Sequence, residues 1–478
     1  MFKTTHWATP WLCGGLVAFV MACGSADTVT ETPPTADTTV SDTQVPDSQT
    51  LETDTQSPEA DTTAPTPRYT FPGEQVACSE NSNFESLLPI LNGGKTHPTG
   101  RGEQATAYDP CNRRIVLFGG NDYQPEECAD FGPKRFNGDT WIYSVEYANW
   151  ARLEPPSSPS ARGRHQMTFD RSRKQILLFG GRFRPEGASG NYTLFNDLWA
   201  FDVNTDTWTQ LPTMGDTPSA RGNSAMLYDD INDRVLLFGG STSPNGLSFA
   251  PQNDLYRLDL DTNTWTRIQS TSTNMPEARL FHGLAMDGPL NKLILYGGGD
   301  ANAFVGPFIN DVWSFDLSTE TWELLWLPSA SSPGPPARIN PGMIEDRSRG
   351  RFVVFAGHDD TSIGHRNDVW SFDPSAALWT PINAGDTGTG VGCASFCNCP
   401  PDLVEVDMAS PERRQYHSFV EIEGEEHAIL FGGKGDCGYL DDTWRLSLVD
   451  HSWAEIEPAG QGEACKRSGQ EGCTDLCY

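Results

Sequence analysis

One pattern constrains this chain more than any other: an apolar strand that ends in two small residues occurs six times. The copies are Ile115–Gly120, Ile176–Gly181, Val235–Gly240, Leu293–Gly298, Phe352–Gly357 and Ala428–Gly433. A polar loop and a second strand follow each. Four of those strands open with Asn-Asp, a hydrophobic residue and Trp or Tyr, starting at Asn196, Asn253, Asn310 and Asn367. The first and sixth copies vary this, as Gly138-Asp139-Thr140-Trp141 and Asp441-Asp442-Thr443-Trp444. A turn then leads to Trp150, Trp208, Trp265, Trp322, Trp379 and Trp453, at intervals of 58, 57, 57, 57 and 74 residues. Upstream of the double glycines stand Arg101, Arg162, Arg221, Arg279, Arg338 and Arg414. A unit of this length forms a few short strands and cannot bury both faces alone. The copies must therefore stack on one another, and a closed ring covers every face.

The arginine, the double glycine and the two aromatics together resemble the kelch motif, over roughly residues 85–458. The resemblance implies an all-β fold, a six-bladed kelch-type β-propeller with four strands, A to D, in each blade. In such a blade the glycines permit a positive φ and a close backbone approach, and the aromatics fill the space between blades. Phe84–Pro89 looks like one more D strand. It pairs across the ring seam, sits outside a complete six-bladed ring, or marks a seventh blade. His165, His282 and His417 each stand three residues after a motif arginine, and recurrence at one position marks them as structural.

The chain opens with Lys3 and the apolar run Trp11–Ala22, too short and glycine-broken for a comfortable membrane span. It reads as a signal peptide over 1–22. Val20-Met21-Ala22-Cys23 resembles the bacterial lipobox, which implies lipidation of Cys23; an ordinary secretory signal cleaved near Ala22 is the alternative. Gly24, rather than Asp, then implies the outer membrane of the cell envelope, on its periplasmic or surface side. Residues 23–68 read as a disordered tether. From 24 to 68 there are 13 Thr, 6 Pro, 6 Asp and 3 Glu against one Arg, too little apolar surface to offset chain entropy. The propeller is expected over 69–458 and a Cys-rich tail over 459–478. A formal net charge of −31 argues against nucleic acid as a partner, because phosphate recognition needs a basic face.

Without Cys13 and the lipidated Cys23, ten cysteines remain: Cys78, Cys111, Cys128, Cys393, Cys397, Cys399, Cys437, Cys465, Cys473 and Cys477. None lies between 129 and 392. They gather at the first and last blades, which meet in a closed ring. Disulfides that staple this seam are therefore expected, since an exported protein favours oxidation and crosslinks between distant segments restrict the unfolded chain most.

In the kelch family, strand A begins and strand B ends at one pole of the ring. In several substrate adaptors of that family, arginines at this place contact an acidic peptide. The resemblance thus nominates Arg101, Arg162, Arg221, Arg279, Arg338 and Arg414 for ligand binding; the alternative, which the residues favour, is that each pairs with a local acid or carbonyl and serves structure. The loop after the glycines is longest in blade one, Asn121–Phe136, and short in blade six, Lys434–Leu440. A partner is thus expected over blades one and two, where Tyr123, Phe131, Phe183 and Tyr192 either stack on a ligand or pack. His358, Asp359, Asp360 and His365 are the best candidate for a divalent metal, but spacing in a loop is weak evidence and a solvated loop is the favoured reading.

No GxSxG elbow, HExxH motif or P-loop is present. The leading expectation is a non-catalytic, monomeric binding or scaffold module that needs no cofactor. It touches the membrane only through its lipid and recognises a protein or glycan, acidic by the arginine argument. The kelch resemblance also admits a periplasmic sugar-acid epimerase similar to the sialic-acid mutarotases, and more remotely a copper oxidase similar to galactose oxidase. The enzyme reading predicts a carboxylate–His or carboxylate–Arg cluster deep in the channel.

Overall fold

The structure, a computed structural model, describes residues 97–122, 135–246, 248–359, 364–388, 404–405, 407–435 and 438–459. They form an all-β, six-bladed propeller. Each blade is a four-stranded antiparallel sheet built from one contiguous repeat, to which Met214–Gly215 adds in parallel beside the outer strand of blade three and Arg338–Ile339 adds in blade five. Blade one comprises Ala105–Asp109, Arg114–Phe118, Thr140–Ser144 and Asn149–Leu153, from the inside outward. Blade six comprises Ser418–Ile422, His427–Lys434, Tyr439–Ser447 and Trp453–Glu457. Blades two to five repeat the order, with inner strands Gln166–Asp170, Ala225–Asp229, Gly283–Asp287 and Gly342–Asp346. The six inner strands touch their neighbours all the way round, including blade six against blade one. No described strand crosses from one blade into the next to close the ring. Among the described residues there is no helix. Phe84–Pro89 lies outside them, so its place relative to the seam is not described.

The core is divided among the blade interfaces. The tryptophan of each outer strand packs against the aromatic that ends strand B of the preceding blade. Ring centroids lie 5.3 Å apart for Trp208 on Phe118, Trp265 on Phe179 and Trp322 on Phe238. The separations are 4.9 Å for Trp379 on Tyr296 and 4.8 Å for Trp453 on Phe355. Trp150 on Phe431, at 4.7 Å, completes the cycle across the seam. Stacked and edge-on pairs of this kind add to the area that they bury. The departures of blades one and six from Asn-Asp-hydrophobic-Trp also find a reason here. Thr140 accepts a hydrogen bond from Trp208 Nε1 (3.0 Å), and Thr443 accepts one from Trp150 Nε1 (3.1 Å).

The double glycine joins blades through the backbone. Its second member donates N–H to the carbonyl of the next blade's motif arginine. The six bonds run from Gly120 to Arg162, Gly181 to Arg221, Gly240 to Arg279, Gly298 to Arg338, Gly357 to Arg414, and Gly433 to Arg101, at 2.8–3.0 Å. At Gly240 φ is +88°, and an added Cβ would meet Gly222 O at 2.8 Å and Ser224 N at 2.7 Å. Only glycine suits that combination. The first member is less demanding. Alanine occupies it in blade five, where Ala356 has φ +57°.

Candidate functional site

The six motif arginines are not a ligand-binding ring. Each is at most 1 % exposed, and each clamps its own blade. Arg338 donates Nη1 and Nη2 to the two carboxylate oxygens of Asp368 (both 2.7 Å), Nη1 to Ala356 O (2.9 Å) and Nε to Pro336 O (3.1 Å). The same fork binds Arg101 to Asp139, Arg162 to Asp197, Arg221 to Asp254, Arg279 to Asp311 and Arg414 to Asp442. The aspartate is that of the second-strand motif. In five blades it also accepts from the tryptophan two residues on, at 2.7–2.8 Å. The fork holds Asp139, Asp197 and Asp368 below the usual carboxylate range against the opposing effect of burial. With its donors satisfied inside the blade, no such arginine can serve a ligand without breaking the clamp.

The residues that meet at this pole stand two positions after each arginine: Glu103, Arg164, Asn223, Phe281, Asn340 and Tyr416. All have left-handed backbones, φ +53° to +61°. Backbone bonds link five steps of the circle, from Glu103 N to Tyr416 O through Asn340 N to Phe281 O. Their side chains come from different blades and converge on the axis. Arg164 Nε lies 2.8 Å from Glu103 Oε1, and Nη2 donates to the Tyr416 hydroxyl at 3.2 Å. The Arg164 guanidinium also faces the rings of Phe281 and Tyr416, at 5.0 and 5.2 Å. Arg182 shares Glu103 (2.8 Å) and lies 4.1 Å over Tyr192. Two guanidinium groups thus share one carboxylate, and among the described residues Arg164 Nη1 has no acceptor. The loop after strand B of blade four covers the cluster, with Phe304 packed on Phe281 and Phe249. In the sequence only register marks this circle: the position two after each motif arginine reads Glu, Arg, Asn, Phe, Asn and Tyr, and its flanking residues vary as well.

Of the aromatics expected to meet a ligand, Tyr123 and Phe131 lie outside the described residues. Tyr192 is buried beside Arg182 and Arg184, and both it and Phe183 pack on Phe136. His165, His282 and His417 sit edge-on to Phe118, Phe238 and Phe355. Burial and the adjacent motif arginines push all three down to about 3, so they are neutral packing groups. Among the described residues the metal combination is not assembled. His358 and His365 pair across two strands, but Arg366 occupies the carboxylate of Asp359. Asp360 lies outside the described residues, among which no group of three or more His, Cys, Asp or Glu is placed to hold an ion.

The opposite pole carries a second charged cluster. Asp230, Glu345 and Glu421, from blades three, five and six, lie 3.6, 3.1 and 3.8 Å from the Arg347 guanidinium. A cavity of about 570 Å³ opens beside them, walled also by Ile231, Met286 and Leu448.

The KLHDC2/KLHL20/DRC7 Kelch-repeats domain model matches residues 86–231 and 230–475. Kelch domain-containing protein 3 of Bos taurus is 31% identical over 334 residues, covering 66% of this chain and 74% of that protein. Its human counterpart is 30% identical over the same shares. Kelch domain-containing protein 10 of Rattus norvegicus is 25% identical over 302 residues, 62% of this chain and 68% of its own length.

Proposed function

Since this chain belongs to the kelch-repeat family, we propose that it is a non-catalytic docking module. It holds a partner protein at the pole of Arg164, Arg182 and Tyr416. The carrying observation is the imbalance there among the described residues: two guanidinium groups, one carboxylate, and an Arg164 Nη1 donor without an acceptor. A carboxylate of the partner supplies both the missing charge and the acceptor, once Phe304 is displaced. On a protein of net charge −31, this is a local positive site rather than a general affinity for anions.

A peptide and glycan array tests the reading. The chain is expected to retain carboxylate-bearing peptides, less so as salt rises. Arg164→Gln is expected to weaken them about tenfold or more while the circular dichroism spectrum stays unchanged. Undiminished binding by the folded variant would refute the site. A preference for neutral glycans would move recognition to the loops of blades one and two.

The module is held at the cell envelope by lipid on Cys23, which lies outside the described residues. Cys23→Ser is expected to shift the protein from the membrane to the soluble fraction, with loss of the diacylglyceryl mass. Seam disulfides fit the same exported setting. Cys111, the one cysteine among the described residues, is disulfide-bonded; Cys78, Cys128, Cys393, Cys397, Cys399, Cys437, Cys465, Cys473 and Cys477 lie outside them.

One observation favours a second reading, the sugar-acid epimerase. It is the carboxylate–Arg cluster in the channel, where burial pushes Glu345 up to about 7 and Glu421 up to about 8, the range of a general acid at neutral pH. Anomer exchange of a sugar acid no faster than in buffer, followed by NMR, would reject it.

A further inference from the structure

The cluster at the far pole crosses the ring. Arg347 of blade five reaches Asp230 of blade three. Arg171 of blade two pairs with Glu423 of blade six and lies 3.3 Å from Asp230. Blades two and six are not neighbours, nor are blades three and five, so these pairs span the channel axis. Asp230, Glu345, Arg347, Glu421 and Glu423 line both the outer cavity of about 570 Å³ and an inner one of about 280 Å³. The inner cavity is walled by the innermost strands, including Thr106, Thr168 and Ile344. The charged plate therefore stands between the channel and its mouth.

The plate holds four carboxylates and two guanidinium groups. Fully ionised, its formal charge is two negative units; with two protons bound, it is zero. The surrounding charges are engaged elsewhere: Asp346 with Arg349 and Arg351, Glu425 with Arg113 and His427, and Glu426 with Arg349. Burial, only partly opposed by Arg347, is what raises Glu345 and Glu421. Asp287 and Asp230 add to the rise at Glu345, and Asp346 and Glu423 at Glu421. Tyr108 and Tyr228, which face the inner cavity, are raised as well and stay neutral. The carboxylates titrate as a coupled set.

We propose that Arg171, Asp230, Glu345, Arg347, Glu421 and Glu423 form a proton-operated floor of the central channel, neutral and closed while two protons are shared among the carboxylates, doubly negative and loosened once they leave. The device does not depend on what binds at the opposite pole. Its sign is fixed by the raised groups. The folded chain holds these protons more tightly than the unfolded chain. Their stabilising effect is thus complete below the ordinary glutamate range and is lost as pH rises through about 7 to about 8.

The test compares the full chain with Glu345→Gln/Glu421→Gln from about pH 6 to about pH 8.5. In the parent, the thermal midpoint is expected to fall over this range. Deuterium uptake in the turns around Asp230, Arg347 and Glu423, corrected for intrinsic rates, is expected to rise severalfold. In the double variant, both are expected to be flat. Flat behaviour in the parent, or the same rise in the variant, would overturn the proposal. Carboxyl-carbon NMR of the parent keeps it falsifiable if the variant does not fold. Two glutamates that titrate near neutrality support the floor, and titration of every glutamate below about pH 5.5 removes it.

Discussion

Replacing Arg338 by alanine is expected to destabilise the propeller by roughly 3–5 kcal/mol, the range for breaking a buried ion pair by removing one partner. The arginine is fully buried and Asp368 nearly so. Among the described residues, truncation strands the Asp368 carboxylate with Trp370 Nε1 as its remaining side-chain donor, and it leaves the carbonyls of Ala356 and Pro336 without the guanidinium. The loss reaches beyond blade five, because the carbonyl of the same residue receives Gly298 N–H from blade four. Urea unfolding of parent and variant measures the cost. A loss under about 1 kcal/mol, the ordinary range for a surface pair, would show that the clamp is not the structural element described here. Arginine-to-alanine changes at these six positions are therefore poor probes of ligand binding, since any loss of binding would report unfolding.

Trp150→Ala is expected to cost a comparable amount, about 3–5 kcal/mol as for other buried Trp-to-Ala changes, and to act at one place. Trp150 is fully buried among Ile115, Leu117, Tyr143, Ile422, Ile429 and Phe431 at the seam between first and last blades. Its removal also takes the donor from Thr443. Hydrogen exchange should rise first in blades one and six, and least in blades three and four. Uniform loosening of all six blades would mean that the ring unfolds as one unit and that the seam is no weaker than any other interface.

The repeat, its four strands and its ring were legible because each rests on residues that recur at fixed spacing: the glycine pair, the Asn-Asp-hydrophobic-Trp strand and the outer tryptophan. The use of the arginines was not. A recurring arginine at one pole suggests a shared ligand as readily as a shared clamp. What decides is the recurring aspartate 28–38 residues later, whose pairing appears only when strands B and C lie side by side. The residues that do converge at the poles were missed for the opposite reason. Glu103, Arg164 and Tyr416, like Asp230, Arg347 and Glu421, come from different blades and do not recur, so no periodicity exposes them. Of the metal combination, Asp359 is engaged by Arg366, a local pairing that spacing does not reveal, and Asp360 lies outside the described residues.

Every blade is a single stretch of chain, and among the described residues the seam repeats the tryptophan–aromatic and glycine–arginine contacts of the other five interfaces. The order of blades round the ring is therefore indifferent to where the chain begins. Joining the two ends of the ring and cutting between strand D of any blade and strand A of the next would return the same six sheets with new termini, and rearrangements of this kind succeed where a chain is exposed and few contacts cross. Seen in this way, the molecule is a circular object that happens to be synthesised from one of six equivalent starting points.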